Sequence, residues 1–265
     1  MTLSAYLDGV GVLGPGLRGW QDTAAILGGR NAYVSAPTVL PTLTMLPAAE
    51  RRRTGRVVKV ALGVAFEATA AATANPAQLS SVFSSSGADG EICHEICQAL
   101  SMPAREVSPT RFSNSVHNAP AGYWSIATGA TTESNVLCAF DGSFVAGLLD
   151  AMTQVHVDRR AVVLVAYDAN YPPPLQATRP IPDTFGIAMV LVPEITPQSL
   201  ARLDVALTED AFDTMREPRL EALRASIPAA RGLPLLEALA LRKKTRTIIE
   251  YLDVARAAVV LEPCR

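Results

Sequence analysis

One turn in the chain has the setting that acyl-transfer chemistry requires. The run from Glu133 to Gly147, E-S-N-V-L-C-A-F-D-G-S-F-V-A-G, reads as a short strand, a sharp turn and the start of a helix. In such a layout the strand delivers a nucleophile to the turn. The helix dipole and the unpaired N–H groups behind it then stabilise a thiolate. Here the turn holds Ala139, Phe140 and Asp141, with no cysteine or serine at its tip. Cys138 is adjacent, but one step along a strand points a side chain to the opposite face. Asp141, before Gly142, reads as an N-cap that accepts backbone N–H groups.

Other reactive residues lack a supporting context. Ser84, Ser85 and Ser86 are not enclosed in G-x-S-x-G, so they form no nucleophile elbow. Gly87-Ala88-Asp89-Gly90 suits a turn, because no Gly-Lys-Ser/Thr follows to cradle a phosphate. Cys93 and Cys97 lie four apart and share one helix face. His94 projects about 100° away from Cys93, so no metal site is assembled and the two thiols are expected to pack in the core. No disulfide framework is evident.

The elements that must hold the turn alternate between strand and helix. Leu3 to Leu13 reads as a strand ending in a Gly/Pro turn, and Trp20 to Leu27 as a helix closed by Gly28-Gly29. A Pro-punctuated loop to about Pro47 precedes one long helix from Ala48 to about Ala72. Leu79 to Ser84 is a strand, Glu91 to Leu100 a helix, and the stretch from Phe112 to Gly129 a helix of small and aromatic residues. Arg160 to Tyr167 and Phe185 to Val192 are continuous apolar runs, typical of strands buried on both faces. Asn170 to Pro182 is a Pro-rich loop. After a soft boundary near 195 come a strand at Leu203 to Leu207 and helices at Arg216 to Ala225 and Pro234 to Arg242. Arg246 to Leu252 and Ala257 to Leu261 form a terminal hairpin. The class is α/β, with helices on both faces of a sheet.

Composition narrows the function. Of 265 residues, 23 are basic and 25 acidic, so no global field attracts nucleic acid. Apolar residues make up 49 % against 18 % charged, which favours a large protein interface. The first twenty residues lack a basic leader region, and no uncharged apolar run reaches the roughly 18 residues of a membrane span. A cytoplasmic protein is expected.

Taken in order, these segments resemble the β-ketoacyl synthases of the thiolase fold. V-G-V-L-G-P-G resembles their first strand and turn, and A-E-R-R-R-T-G-R their arginine-rich helix. S-S-S-G-A-D-G is similar to their strand with a glycine-rich end. The nearest match, N-S-V-H-N-A-P-A-G-Y-W-S-I from Asn114 to Ile126, resembles the helix behind their nucleophile. G-I-A-M-V-L-V-P-E, ending at Glu194, resembles the close of their N-terminal half. The resemblance implies a thiolase-like half over 1–195, a mixed sheet covered by helices. Residues 196–265 are then a short α+β appendage completing or covering that half.

The departures from the family decide the expected function. Aligning Gly142 and Gly147 with the family's helix glycines puts Ala139 in the place of the acyl-accepting cysteine; an ungapped alignment from Gly122 puts Asp141 there. Neither forms a thioester. The family's C-terminal half supplies two histidines, whereas His94, His117 and His156 all precede residue 195. The resemblance therefore implies a noncatalytic, chain-length-factor-like subunit with no cofactor or metal. It would pair with a full-length β-ketoacyl-ACP synthase in aryl polyene or polyketide-type lipid biosynthesis and meet acyl carrier protein indirectly. Its twofold interface would draw on Asn114, His117, Asn118, Glu133, Asn135 and Leu137, although His117 and Asn118 equally suit a polar helix start. Arg111 and Phe112 would shape the acyl tunnel, unless Phe112 simply staples the following helix to the core. Arg51, Arg52, Arg53 and Arg56 would dock the acidic carrier or form a solvated basic face. The alternatives are a stand-alone acyltransferase or thioesterase using Cys138, and a carrier-binding scaffold.

Overall fold

The computed structural model describes residues 2–264. Among these residues, nine strands form one sheet: β1 (Leu3–Gly14), β2 (Leu17–Arg18), β3 (Ser80–Ser84), β4 (Ser134–Leu137), β5 (Val162–Asp168), β6 (Phe185–Val192), β7 (Ala201–Thr208), β8 (Thr245–Glu250) and β9 (Arg256–Pro263). Their order is β4-β3-β5-β6-β1-β7-β9-β8, with β2 folded onto β1. β3 runs parallel to β4 and β5, while the other pairings are antiparallel, so the sheet is mixed. Residues 201–263 continue the sheet outward from β1, where Leu3 to Leu7 pair with Val205 to Ala201.

The helices are α1 (Trp20–Leu27), α2 (Ala48–Arg51), α3 (Arg56–Ala71), α4 (Gly90–Ser101), α5 (Pro109–Asn114), α6 (Ala119–Thr128), α7 (Ser143–Asp158), α8 (Leu175–Thr178), α9 (Pro218–Ser226) and α10 (Leu233–Leu241). No helix among the described residues is long and apolar enough to cross a membrane.

Strand alternation separates two cores. Val163 and Val165 of β5 face α3 and α6, joining Val60, Val64 and Trp124. Val162, Leu164 and Ala166 face α7 and the tail helices, joining Phe144, Leu148, Leu233 and Leu236. The apolar runs at β5 and β6 are thus buried on both sides, as their composition predicts. Glycines let α3 lie tight across β1. A Cβ at Gly11 would stand 2.0 Å from the Val64 carbonyl oxygen, and one at Gly9 would stand 2.1 Å from that of Ala68.

Four expectations change. The long helix from Ala48 is two helices, because the Thr54 hydroxyl turns back to the Arg51 carbonyl (2.9 Å) and Gly55 is extended. The stretch from Phe112 is likewise split, into the end of α5 and α6, with Pro120 in the first turn of α6. The Cys93 and Cys97 thiols are exposed, since α4 contributes no buried residue. The Pro-rich loop also winds briefly into α8.

Candidate functional site: the strand–turn–helix and the open edge beside it

β4, the turn and α7 form the expected layout, and the turn is built largely by its own side chains. After β4 the backbone reaches Phe140, which takes a left-handed φ of 49°, a conformation that costs a residue with a Cβ. The Ser143 hydroxyl holds this bend. It accepts from the Ala139 N–H (3.0 Å) and lies 2.7 Å from the Phe140 carbonyl and 3.1 Å from that of Ser85, either of which can take its proton.

Asp141 does not cap the helix. Its carboxylate sits between two guanidinium groups, 2.6 Å from Arg179 and 3.2 Å from Arg231. Both arginines are largely buried, so opposite charge outweighs the backbone donors that the sequence suggested. The chain of ions continues through Glu250, 3.5 Å from Arg231 and 3.2 Å from Arg224, to Glu221 at 2.7 Å from Arg224. Burial lowers the pKa of Arg231 against the pull of Glu250 and Asp141. Arg179 also lays its guanidinium over the Phe140 ring, 3.9 Å from the centroid, while the ring stays 61 % exposed.

Behind the turn lies Asp168, fully buried at the end of β5. Burial pushes it up to about 6, against the donors that hold its charged form. Those donors are the Ser86 N–H (2.9 Å), the Ser86 hydroxyl (2.6 Å) and the Ala229 N–H (2.8 Å). Asp168 thereby ties the loop after β3 to the tail. The same loop receives Cys138, whose thiol donates to the Ser86 carbonyl at 3.2 Å. A carbonyl takes no proton from a thiol, so this contact does not activate it. The glycine run after β3 is a turn, as predicted: Asp89 caps α4 by accepting from Glu91 and Ile92.

Beside the turn the sheet ends. Among the described residues β4 pairs on one side only, with β3, and its other edge is open. Glu133 ion-pairs with Arg160 (2.7 Å), Asn135 bonds Asp150 (3.0 Å), and Leu137 packs partly into the core. Asn114 is buried, and its amide is engaged internally with the Arg53 carbonyl (2.9 Å) and the Tyr123 hydroxyl (3.1 Å). It therefore braces the start of α6 instead of presenting itself outward. Asn118 is exposed, and His117 is half-buried with its pKa lowered by burial. A cleft of about 400 Å³ runs between α2, α5 and α6, lined by Arg53, Asn118, Gly122 and the exposed Val116 and Ile126.

The remaining predicted residues lie on or beside α2, α3 and α5. Phe112 is 67 % exposed, so it staples nothing to the core. Arg111 reaches back to Glu95 of α4 at 2.8 Å. Of the basic cluster, Arg51 is half-buried, Arg52, Arg53 and Arg56 are exposed, and Arg53 pairs with Glu50. Sequence reasoning missed Arg179 and Arg231. The available signal was a lone arginine within the apolar run Pro228 to Leu241, which needs a buried partner.

Comparison with known proteins fits this geometry. The family described as beta-ketoacyl synthase, N-terminal domain, matches residues 21–248, extending past the soft boundary near 195. No curated protein matches the chain in sequence. Among solved structures, the chain is similar to one in the complex of ketosynthase ApeO with its chain length factor ApeC from Xenorhabdus doucetiae. That likeness has 20 % identity, covers 97 % of this chain and 99 % of that one, and has a TM-score of 0.74. The ishigamide ketosynthase/chain length factor gives 14 % identity, 98 % and 99 % coverage, and a TM-score of 0.74. A chain of AntDE:AntF, a type II acyl-carrier protein in complex with its ketosynthase, gives 10 % identity, 99 % and 100 % coverage, and a TM-score of 0.75. These likenesses establish the thiolase-like fold.

Proposed function

On the premise that this chain belongs to the β-ketoacyl synthase N-terminal domain family, we propose that it is a noncatalytic, chain-length-factor-type subunit. It pairs with an active β-ketoacyl-ACP synthase in aryl polyene or polyketide-type lipid biosynthesis. The turn carries this reading. Where acyl transfer needs a free nucleophile, Phe140 occupies the bend and Asp141 is bound between two arginines. Of the three histidines of the chain, His94 lies on α4 and His156 on α7, while His117 faces the Ser85 backbone beside the turn, with burial lowering its pKa. Solved structures that match over nearly their whole length include a ketosynthase in complex with its chain length factor and a ketosynthase/chain length factor pair.

The partner is proposed to add across the open edge of β4 and over the outer face of α6. An unpaired strand edge is a ready template for another chain; Asn135 lies on it with Glu133 just before it, and His117 and Asn118 stand at the start of α6. Arg111 and Phe112 are proposed to reach the partner's acyl channel. The exposed arginines after α2 are proposed to meet the acidic carrier protein.

Co-expression of the 28.0-kDa chain with a candidate full-length ketosynthase, followed by size-exclusion chromatography with light scattering, tests this. The expected result is a soluble 1:1 complex and poor behaviour of the lone chain. A well-behaved monomer that ignores every ketosynthase offered, together with labelling of Cys138 by an acyl-thioester analogue, rejects it.

A further inference from the structure

A cleft of about 290 Å³ opens between α1, α10 and the loop that leads into β7. Trp20 stands at the start of α1, Arg30 follows its end, and Arg242 caps the end of α10. Trp20 and Leu200 are partly buried against the core and, with Leu239, give the cleft an apolar wall. Arg30, Arg242 and Gln198 supply its donors. Elsewhere several guanidinium groups are neutralised by carboxylates, as Arg231 is by Asp141, Arg224 by Glu221 and Arg246 by Asp210. Arg30 and Arg242 differ: among the described residues neither side chain has an ion pair or hydrogen bond, and no carboxylate lines the cleft. Asp8 and Glu67 contact residues of the lining but are already engaged. Asp8 accepts from the Thr196 and Ser199 hydroxyls, each at 2.7 Å, and Glu67 from the Val12 and Trp20 N–H groups.

Two unpaired guanidinium groups in one concave site call for an oxyanion, whose geometry their forked donors match. Their combined charge favours a dianion. A phosphomonoester carries close to two negative charges near neutral pH, whereas a carboxylate carries one. Beside them, Trp20 and Leu239 offer surface that an apolar body can cover. We propose that this cleft binds a phosphomonoester with a small apolar or aromatic body, the phosphate between Arg30 and Arg242 and the body against Trp20 and Leu239. β3, β5 and β6 separate β1, on which α1 packs, from the open edge of β4. The site therefore does not depend on the partner-subunit reading.

Isothermal titration calorimetry of the intact chain with phenyl phosphate, in phosphate-free buffer at fixed ionic strength, tests this. One saturable site is expected, with a Kd on the order of 1 mM. Benzoate has the ring but a single charge, and inorganic phosphate has the charge but no body; each is expected to bind at least about tenfold more weakly. Arg30→Gln and Arg242→Asn are each expected to weaken phenyl phosphate about tenfold. Asparagine tolerates the left-handed φ of 50° at position 242, so the charge is removed without added strain. Arg246→Gln, outside the cleft, is expected to bind as the wild type does. A matching melting temperature confirms that each variant is folded, and if one arginine variant unfolds the other decides. If the lone chain precipitates, its complex with a ketosynthase is titrated, and dependence on the two variants still reports on this chain. No saturable binding, or binding untouched by the Arg30 and Arg242 variants, overturns the site. Benzoate or inorganic phosphate binding as tightly as phenyl phosphate overturns the ligand class.

Discussion

Asp168 illustrates how a single buried carboxylate records the join between the two parts of the chain. It accepts from Ser86 on one side and from Ala229 on the other, with burial raising its pKa to about 6. Its unfolded value is about 3.9. The folded state thus holds the proton more tightly, and stability from this group is full below about pH 4 and is lost as pH rises through about 6. Glu67, which accepts from the Val12 and Trp20 N–H groups, is also raised by burial and acts in the same direction. Asp168→Asn is expected to flatten that fall in urea-unfolding free energy between pH 4 and 6. It should also cost about 1–3 kcal/mol at neutral pH, because an amide nitrogen then faces a backbone donor. An unaltered slope in the variant would show that Asp168 does not set it. At this scale the sequence was only partly readable. It revealed that residues 139–141 hold neither cysteine nor serine, because that depends on residue types in one short run. It misread Asp141 as a cap, because the arginines that claim it come from the Pro-rich loop and from the tail, and no local pattern announces them.

At the scale of elements, propensity and periodicity were reliable wherever burial was two-sided or a glycine stop was present. β1, β6, α1 and the terminal hairpin lie close to their expected bounds, since buried apolar runs and left-handed glycines such as Gly29 leave few alternatives. They failed where one side-chain bond decides the matter, as Thr54 does between α2 and α3. They failed again at α4, whose amphipathic pattern predicts a buried face that this chain alone does not cover. The outer face of α6 offers the cleanest element-level test. Gly122 is exposed, and a Cβ there meets nothing within 4 Å. Gly122→Arg should therefore leave the isolated fold intact, or stabilise it by up to about 1 kcal/mol through helix propensity. Across a helix-to-partner contact the same side chain has no room. The expected outcome is an unchanged or slightly raised melting temperature with loss of co-purification. Retained pairing would move the interface off α6.

On the scale of the whole molecule, the tail decides how a family of this architecture is built into a chain of 265 residues. β7 continues the sheet from β1, and β9 and β8 continue it from β7. The tail's 3-10 turn at Pro228–Gly232 packs on α7, and α10 packs on α1, β8 and β9. The fit is close: a Cβ on Gly232 would stand 2.5 Å from the Phe144 ring. Ile227, Leu233 and Leu236 are fully buried against the same core as Leu148 and Leu164. Ending the chain at residue 195 would uncover this apolar face, leave half of β1 without its β7 partner and strip Asp168 of its Ala229 donor. Each buried leucine or isoleucine exposed costs about 1.5–3 kcal/mol, so a few of them match the roughly 5–15 kcal/mol that holds a domain folded. Residues 1–195 alone are thus expected to lack a cooperative thermal transition by circular dichroism. The intact chain is expected to melt in one transition, with tail and sheet unfolding together. Two separated transitions, or a folded 1–195 fragment, would mean that the tail is an independent cover. In that case the clamp on Asp141 would be an accident of docking.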